Sequence, residues 1–81
     1  MVEKKLVSLR QMYSGQSGRV RQIDGGMGMV NRLNSLGIRP GKKITKVSSM
    51  LMRGPVTVQL DSTRLAIGFG MAHKIIVELE Q

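Results

Sequence analysis

Catalysis needs positioned acids, bases or nucleophiles, and this chain offers few. His73 is the one histidine, and it sits beside Lys74 on a probable short helical turn, where a solvated or capping role suits it better than general-base work. The carboxylates have structural contexts. Asp24 adjoins Gly25 and Gly26, and Asp61 opens a turn, both common uses of Asp. Glu78 and Glu80 point outward from a strand, so no two carboxylates are set for paired acid and base chemistry. Zinc or ferrous sites want three or more His, Cys or carboxylate ligands, which one His, five acids and no Cys do not readily assemble. Met27-x-Met29 and Met50-x-Met52 have a spacing that thioether ligation of Cu(I) could use. Met29, however, falls on the apolar stripe of a helix, and methionine fills gaps in a core short of aromatic rings. Gly25-Gly26-Met27-Gly28 precedes a helix and could offer N–H groups to an anion, yet it lacks the Gly-Lys-Ser/Thr ending of a P-loop and is not GxGxxG. The expectation is a protein without catalytic residues, metal ligands or a cofactor, and not an enzyme.

What remains is charge. Thirteen Lys and Arg stand against five Asp and Glu, a formal +8 on 81 residues. The excess is spread over both halves, with seven basic against two acidic residues in 1–40 and six against three in 41–81. One stretch is one-sided: between Asp24 and Asp61 lie Arg32, Arg39, Lys42, Lys43, Lys46 and Arg53 with no acid among them. Such a belt is either a solvated face or a docking face for an anionic partner, be it phosphate, lipid headgroup or acidic protein. Nucleic acid is the less expected partner, because single strands want stacking platforms and only Tyr13 and Phe69 could supply them. The absence of Cys fits a reducing compartment. No uninterrupted apolar run exceeds three residues, against about 20 needed to span a bilayer, so a soluble cytoplasmic chain without a signal peptide is expected. A chain of this length makes one domain, 1–81, and buries only about 60–65% of its unfolded surface, which leaves little room for a deep substrate cavity.

The elements that carry these residues are short. Ser8 can cap a helical turn running to Met12, and Tyr13 to Gly18 is turn chemistry. Arg19 to Ile23 reads as a strand, but Val20 and Ile23 are three apart and cannot share a face at period two, which predicts a bulge or a strand buried differently at its two ends. Residues 27–36 carry the one clear helical period, with Met29, Val30, Leu33 and Leu36 on one stripe. Gly37 and Ile38 then occupy the positions of a Schellman stop, and Arg39-Pro40-Gly41-Lys42 fits a type II turn. Further strands are expected at 43–48, 55–60, 64–67 and 75–79, with a helical or 3₁₀ turn within 68–74 before the last. Five short strands and one amphipathic helix describe a mostly β small barrel. Met50-Leu51-Met52 is an apolar connection, either folded over a barrel end or exposed for a partner.

The order of motifs is more telling than any one of them. Leu9, Gly15, Gly18-x-Val20, Gly25-Gly26, the segment Arg32-Leu33-x-x-Leu36-Gly37-Ile38-x-Pro40-Gly41, Gly54-Pro55-Val56, and Arg64-x-Ala66-Ile67-Gly68-x-x-x-Ala72-x-x-Ile75-x-Val77 together resemble the FeoA family, from about residue 6 to 79. The resemblance implies an SH3-like five-stranded barrel in the cytosol, acting with the bacterial ferrous iron transporter FeoB, a membrane protein with a cytosolic GTPase domain. The same module is similar to the C-terminal domain of iron-dependent repressors of the diphtheria-toxin-repressor type, and a stand-alone module without the DNA-reading region is the expectation here. Under this reading the chain is an accessory or regulatory protein of iron uptake at the inner membrane face, which assists transport without binding iron. Its contact surface is expected at Arg32, Arg39, Lys42, Lys43, Met50, Leu51, Met52 and Arg53. The alternative is a nucleic-acid or anion-binding barrel using the same basic residues, whose affinity would fall steeply with salt.

Overall fold

The computed structural model describes residues 5–49 and 54–80. Within them the strands β1 (Leu6–Ser8), β2 (Ser17–Ile23), β3 (Lys43–Ser49), β4 (Val56–Leu60), β5 (Thr63–Ile67) and β6 (Ile75–Leu79) form one antiparallel sheet in the order β1-β6-β2-β3-β4-β5. That is one strand more than the sequence pattern predicts. The addition is β1, three residues long and too short to show a period of its own. It is ordered by pairing with β6, Val7 lying opposite Val77, and by the Leu79 N–H donating to the Lys5 carbonyl at 2.9 Å.

Alternation places Val56, Val58 and Leu60 of β4 on the core face, where they meet Val20, Ile44, Ile67, Ile75 and Val77 from the other strands. The spacing of Val20 and Ile23 is resolved by a bulge. Val20 lies opposite Val77 and Ile23 opposite Ile75, so three steps on β2 match two on β6, and the register shifts between Val20 and Gln22. A second shift, between Lys46 and Ser48, interrupts the pairing of β3 with β4. Gly18 leaves no room for a side chain against β6: a Cβ there would run into the Glu78 carbonyl and lie 2.6 Å from Val77 Cγ1.

Helix α1 (Met27–Ser35) leaves the sheet after Gly26 and ends in the expected Schellman stop. Gly37, at φ +94°, donates to the Asn34 carbonyl at 3.0 Å, and Ile38 donates to that of Leu33 at 2.9 Å. The turn that follows closes with Lys42 N–H on the Arg39 carbonyl at 3.0 Å and Gly41 at φ +90°. The helix uses less of its apolar stripe than its period predicts. Leu33 is fully buried, Met29 and Val30 are half-buried, and Leu36, just past the last helical turn, is 43% exposed. Helix α2 (Phe69–His73) packs Ala72 into the core beside a 3₁₀ turn, Leu9–Gln11. Ser8 caps that turn through a reciprocal pair of bonds with Gln11, and the Arg10 guanidinium lies 4.9 Å from the centre of the Phe69 ring.

Lys46 is the feature that the charge pattern misassigned. The sequence groups it with the basic belt of solvated or docking charges, but the residue is buried, only 3% exposed. Period two explains the difference: Lys46 shares a face with buried Ile44 and therefore points inward. Its Nζ donates to the Arg10 carbonyl at 3.0 Å and the Met12 carbonyl at 2.5 Å, where the 3₁₀ turn runs out of backbone donors. Its own N–H and C=O bond Gln16 and Gly15, at 2.9 and 2.7 Å. One residue thus fastens the whole segment from Arg10 to Gln16 against β3. Burial, and secondarily the Arg10 charge, hold its pKa below the ordinary 10.5.

Gly18→Ala should lower the unfolding free energy by about 1–3 kcal/mol in urea titrations, because the obstacle is the backbone of β6 and cannot swing aside. Lys46→Ala, which strips donors from two carbonyls, should cost about 2–4 kcal/mol. Its pH dependence has a definite sign. Between the lowered native pKa and 10.5 the unfolded chain binds more protons, so the contribution of Lys46 to stability rises with pH across that window and is flat below it. Subtracting the stability curve of Lys46→Met from that of the parent chain should leave this alkaline rise. A flat difference would contradict it.

Candidate partner-binding face

The basic belt resolves into three kinds of charge. Lys46 is internal. Lys42 forms an ion pair with Asp61, and Lys43 lies 3.7 Å from Glu80, so both have acidic neighbours that the linear sequence separates from them. Arg32 on α1 and Arg39 in its exit turn differ: both are exposed, and neither makes an ion pair or side-chain hydrogen bond among the described residues. The predicted contact residues Met50, Leu51, Met52 and Arg53 lie outside the described residues.

Local structure fixes the geometry of this face. The Schellman stop and the following turn reverse the chain at Gly37 and Gly41, and the turn is bound to β2. Gly41 N–H donates to the Val20 carbonyl at 2.8 Å, Val20 N–H to that of Lys42 at 3.0 Å, and Arg19 Nη1 to that of Gly41 at 3.0 Å. Arg39 therefore stands on a braced loop. Apolar surface accompanies Arg32: Leu36, one helical turn on, is 43% exposed, and Met27, at the start of α1, is 80% exposed. At the C-terminal end of α1, Leu36 and Gly37 join Leu60 and the Lys42–Asp61 pair around an open groove of about 230 Å³. Two unneutralised guanidinium groups beside partly exposed aliphatic surface suit an acidic protein face, where arginine and methionine are favoured contact residues.

The larger groove, about 410 Å³, lies at the other end of the sheet between Leu6, Ser8, Gln11, Ile76 and the polar side chains of Asp24, His73 and Lys74. Three of its polar side chains, those of Ser8, Gln11 and Asp24, are hydrogen-bonded within the chain. Gln11 Oε1 accepts from Ser8 N–H at 3.0 Å, and Asp24 Oδ1 accepts from Gln22 at 2.6 Å. Among the described residues no three His, Asp or Glu side chains gather where they could share a metal ion. The two aromatic residues also serve different ends: Phe69 is half-buried with Arg10 on its ring, while Tyr13 is 77% exposed.

Sequence reasoning did not identify the Arg10–Phe69 contact, whose partners are far apart in the chain, or the neutralisation of Lys42 and Lys43. The inward position of Lys46 was available, since the alternation that assigns Ile44 to the core assigns Lys46 there too.

Comparison with known proteins agrees with this architecture. Residues 7–79 match the FeoA domain family. A protein of Methanocaldococcus jannaschii called putative Fe(2+) transport protein A is 39% identical over 64 residues, covering 79% of this chain and 76% of its own. A crystal structure of an iron uptake regulatory protein, FeoA, superposes with a TM-score of 0.87 at 34% identity, covering 94% of this chain and all of that one. A Stenotrophomonas maltophilia FeoA, described as an SH3 domain protein and solved with zinc, gives 0.73 at 24% identity over 88% of each chain. A manganese-dependent transcriptional repressor shares the fold at a TM-score of 0.86 and 22% identity, through 45% of its own length. With its SH3-like sheet, its Schellman stop at Leu36-Gly37-Ile38 and a match spanning nearly all its residues, this chain belongs to the FeoA family.

Proposed function

We propose that the protein is a non-enzymatic accessory factor of ferrous iron uptake, docking through α1 and its exit turn on a cytosolic part of a FeoB-type transporter at the inner membrane face. The observation that carries this reading is the pair Arg32 and Arg39, which make no ion pair among the described residues, on a braced surface with exposed Leu36, in a chain of the FeoA family. An acidic protein surface or the anionic leaflet beneath the transporter would complement it. Lys42 and Lys43 contribute less charge to the contact than their sequence position implies, because Asp61 and Glu80 offset them. A nucleic-acid reading gains no support here, since Phe69 is already occupied by Arg10 and Tyr13 is left as a lone exposed ring.

The test is co-purification with the transporter from solubilised membranes. The parent chain should be retained at moderate salt and released as salt rises. The double variant Arg32→Glu, Arg39→Glu should bind at least about tenfold more weakly, the cost of placing like charges against an acidic face, while its urea midpoint stays unchanged. Failure of the parent chain to associate, or undiminished binding by the double variant, would reject this surface.

A further inference from the structure

The sheet has two edges, and they are treated differently. β1 is three residues long, and its last N–H, that of Ser8, is taken by the Gln11 side chain. β5 pairs with β4 through five consecutive residues with no bulge, from Val56 opposite Ile67 to Leu60 opposite Thr63. Among the described residues its other side pairs with no strand and accepts no backbone hydrogen bond. Natural edges are usually blunted by proline, by a bulge or by a charge held over the edge. β5 has no proline or bulge, and its single charge, Arg64, is drawn back over the sheet, with Nε donating to Gln59 Oε1 on β4 at 2.9 Å. Among the described residues the outward row of peptide groups is therefore unguarded.

We propose that this edge pairs with β5 of a second copy of the chain, antiparallel and two-fold symmetric about Leu65. The composition of the strand favours that occupant. In this register Leu65 faces Leu65 of the second copy, Arg64 faces Ala66, and Thr63 faces Ile67. No charge is set directly opposite a like charge, and the core-facing row Thr63, Leu65, Ile67 meets its own kind, so the two sheets continue into one another without exchanging faces. A two-fold contact must be complementary to itself, and this strand is. The interface is a few residue pairs, smaller than the roughly 1,200 Å² at which stable complexes begin, so the dimer is weak and transient. The +8 on each copy opposes it, and salt should therefore tighten it, opposite to the response of the docking face.

The test combines sedimentation equilibrium with amide hydrogen exchange on the intact chain, up to about 1 mM, the range in which so small a contact should register. Dimer should accumulate with concentration, more so at high salt, and the amides newly protected should lie in Thr63–Ile67. Exposed Ala66, which faces Thr57 within the monomer, provides paired variants. Ala66→Glu places a carboxylate opposite each Arg64 and should tighten the dimer on the order of threefold to tenfold, and Ala66→Arg should weaken it by a similar factor. Urea unfolding at low concentration should show both variants folded. A chain that stays monomeric at about 1 mM in high salt, a dimer indifferent to the two variants, or protection that falls outside β5 overturns the proposal.

Discussion

The ammonium of Lys46 holds together a part of the molecule that hydrophobic burial alone would leave loose. Between β1 and β2 the chain makes a single 3₁₀ turn and a glycine-containing turn, which close on the Leu9 and Tyr13 carbonyls and leave those of Arg10 and Met12 to other donors. A long side chain ending in three donors reaches both from the middle of β3. Neither an aliphatic residue nor a short polar one could do both jobs, filling a buried position of β3 with its stem and delivering hydrogen bonds at its tip. Burying the charge costs stability, which is why its pKa falls, and the bonds to the carbonyls and the backbone pairing of the same residue offset that cost. Packing then follows: the fixed turn seats Leu9 and Met12 in the core and presents Arg10 to Phe69, which brings α2 into place.

The same arrangement redistributes charge in a way that bears on function. A chain with thirteen basic residues looks uniformly positive in sequence, yet folding withdraws Lys46, offsets Lys42 and Lys43, and engages Arg19 with a carbonyl. Among the described residues, the arginines of the belt that keep no ion pair, Arg32 and Arg39, stand on α1 and its exit turn. That helix is fastened mainly by Leu33 and by the Schellman stop that buries Ile38, so much of its circumference is free for a partner.

Much of this was legible in the residues. Glycine and proline spacing gave the Schellman stop and the type II turn, because those backbone conformations admit few alternatives. The three-residue interval between Val20 and Ile23 announced a bulge. Alternation placed Val56, Val58 and Leu60 in the core. The rest depended on contacts between distant segments. β1 exists through its pairing with β6, the Lys42–Asp61 and Lys43–Glu80 neighbours come together through strand order, and Arg10 meets Phe69 only after both termini of the sheet have closed. Lys46 was a different kind of miss: residue type was allowed to outweigh position, and the β period was the better guide.

The most direct measurement of the docking account is amide chemical-shift mapping of the labelled chain titrated with the cytosolic GTPase domain of the transporter. The account predicts shifts concentrated in Met27–Lys42, centred on Arg32, Leu36 and Arg39, and fading as salt is raised. Absence of shifts, or shifts centred on the groove around His73 and Leu6 with α1 unaffected, would contradict it.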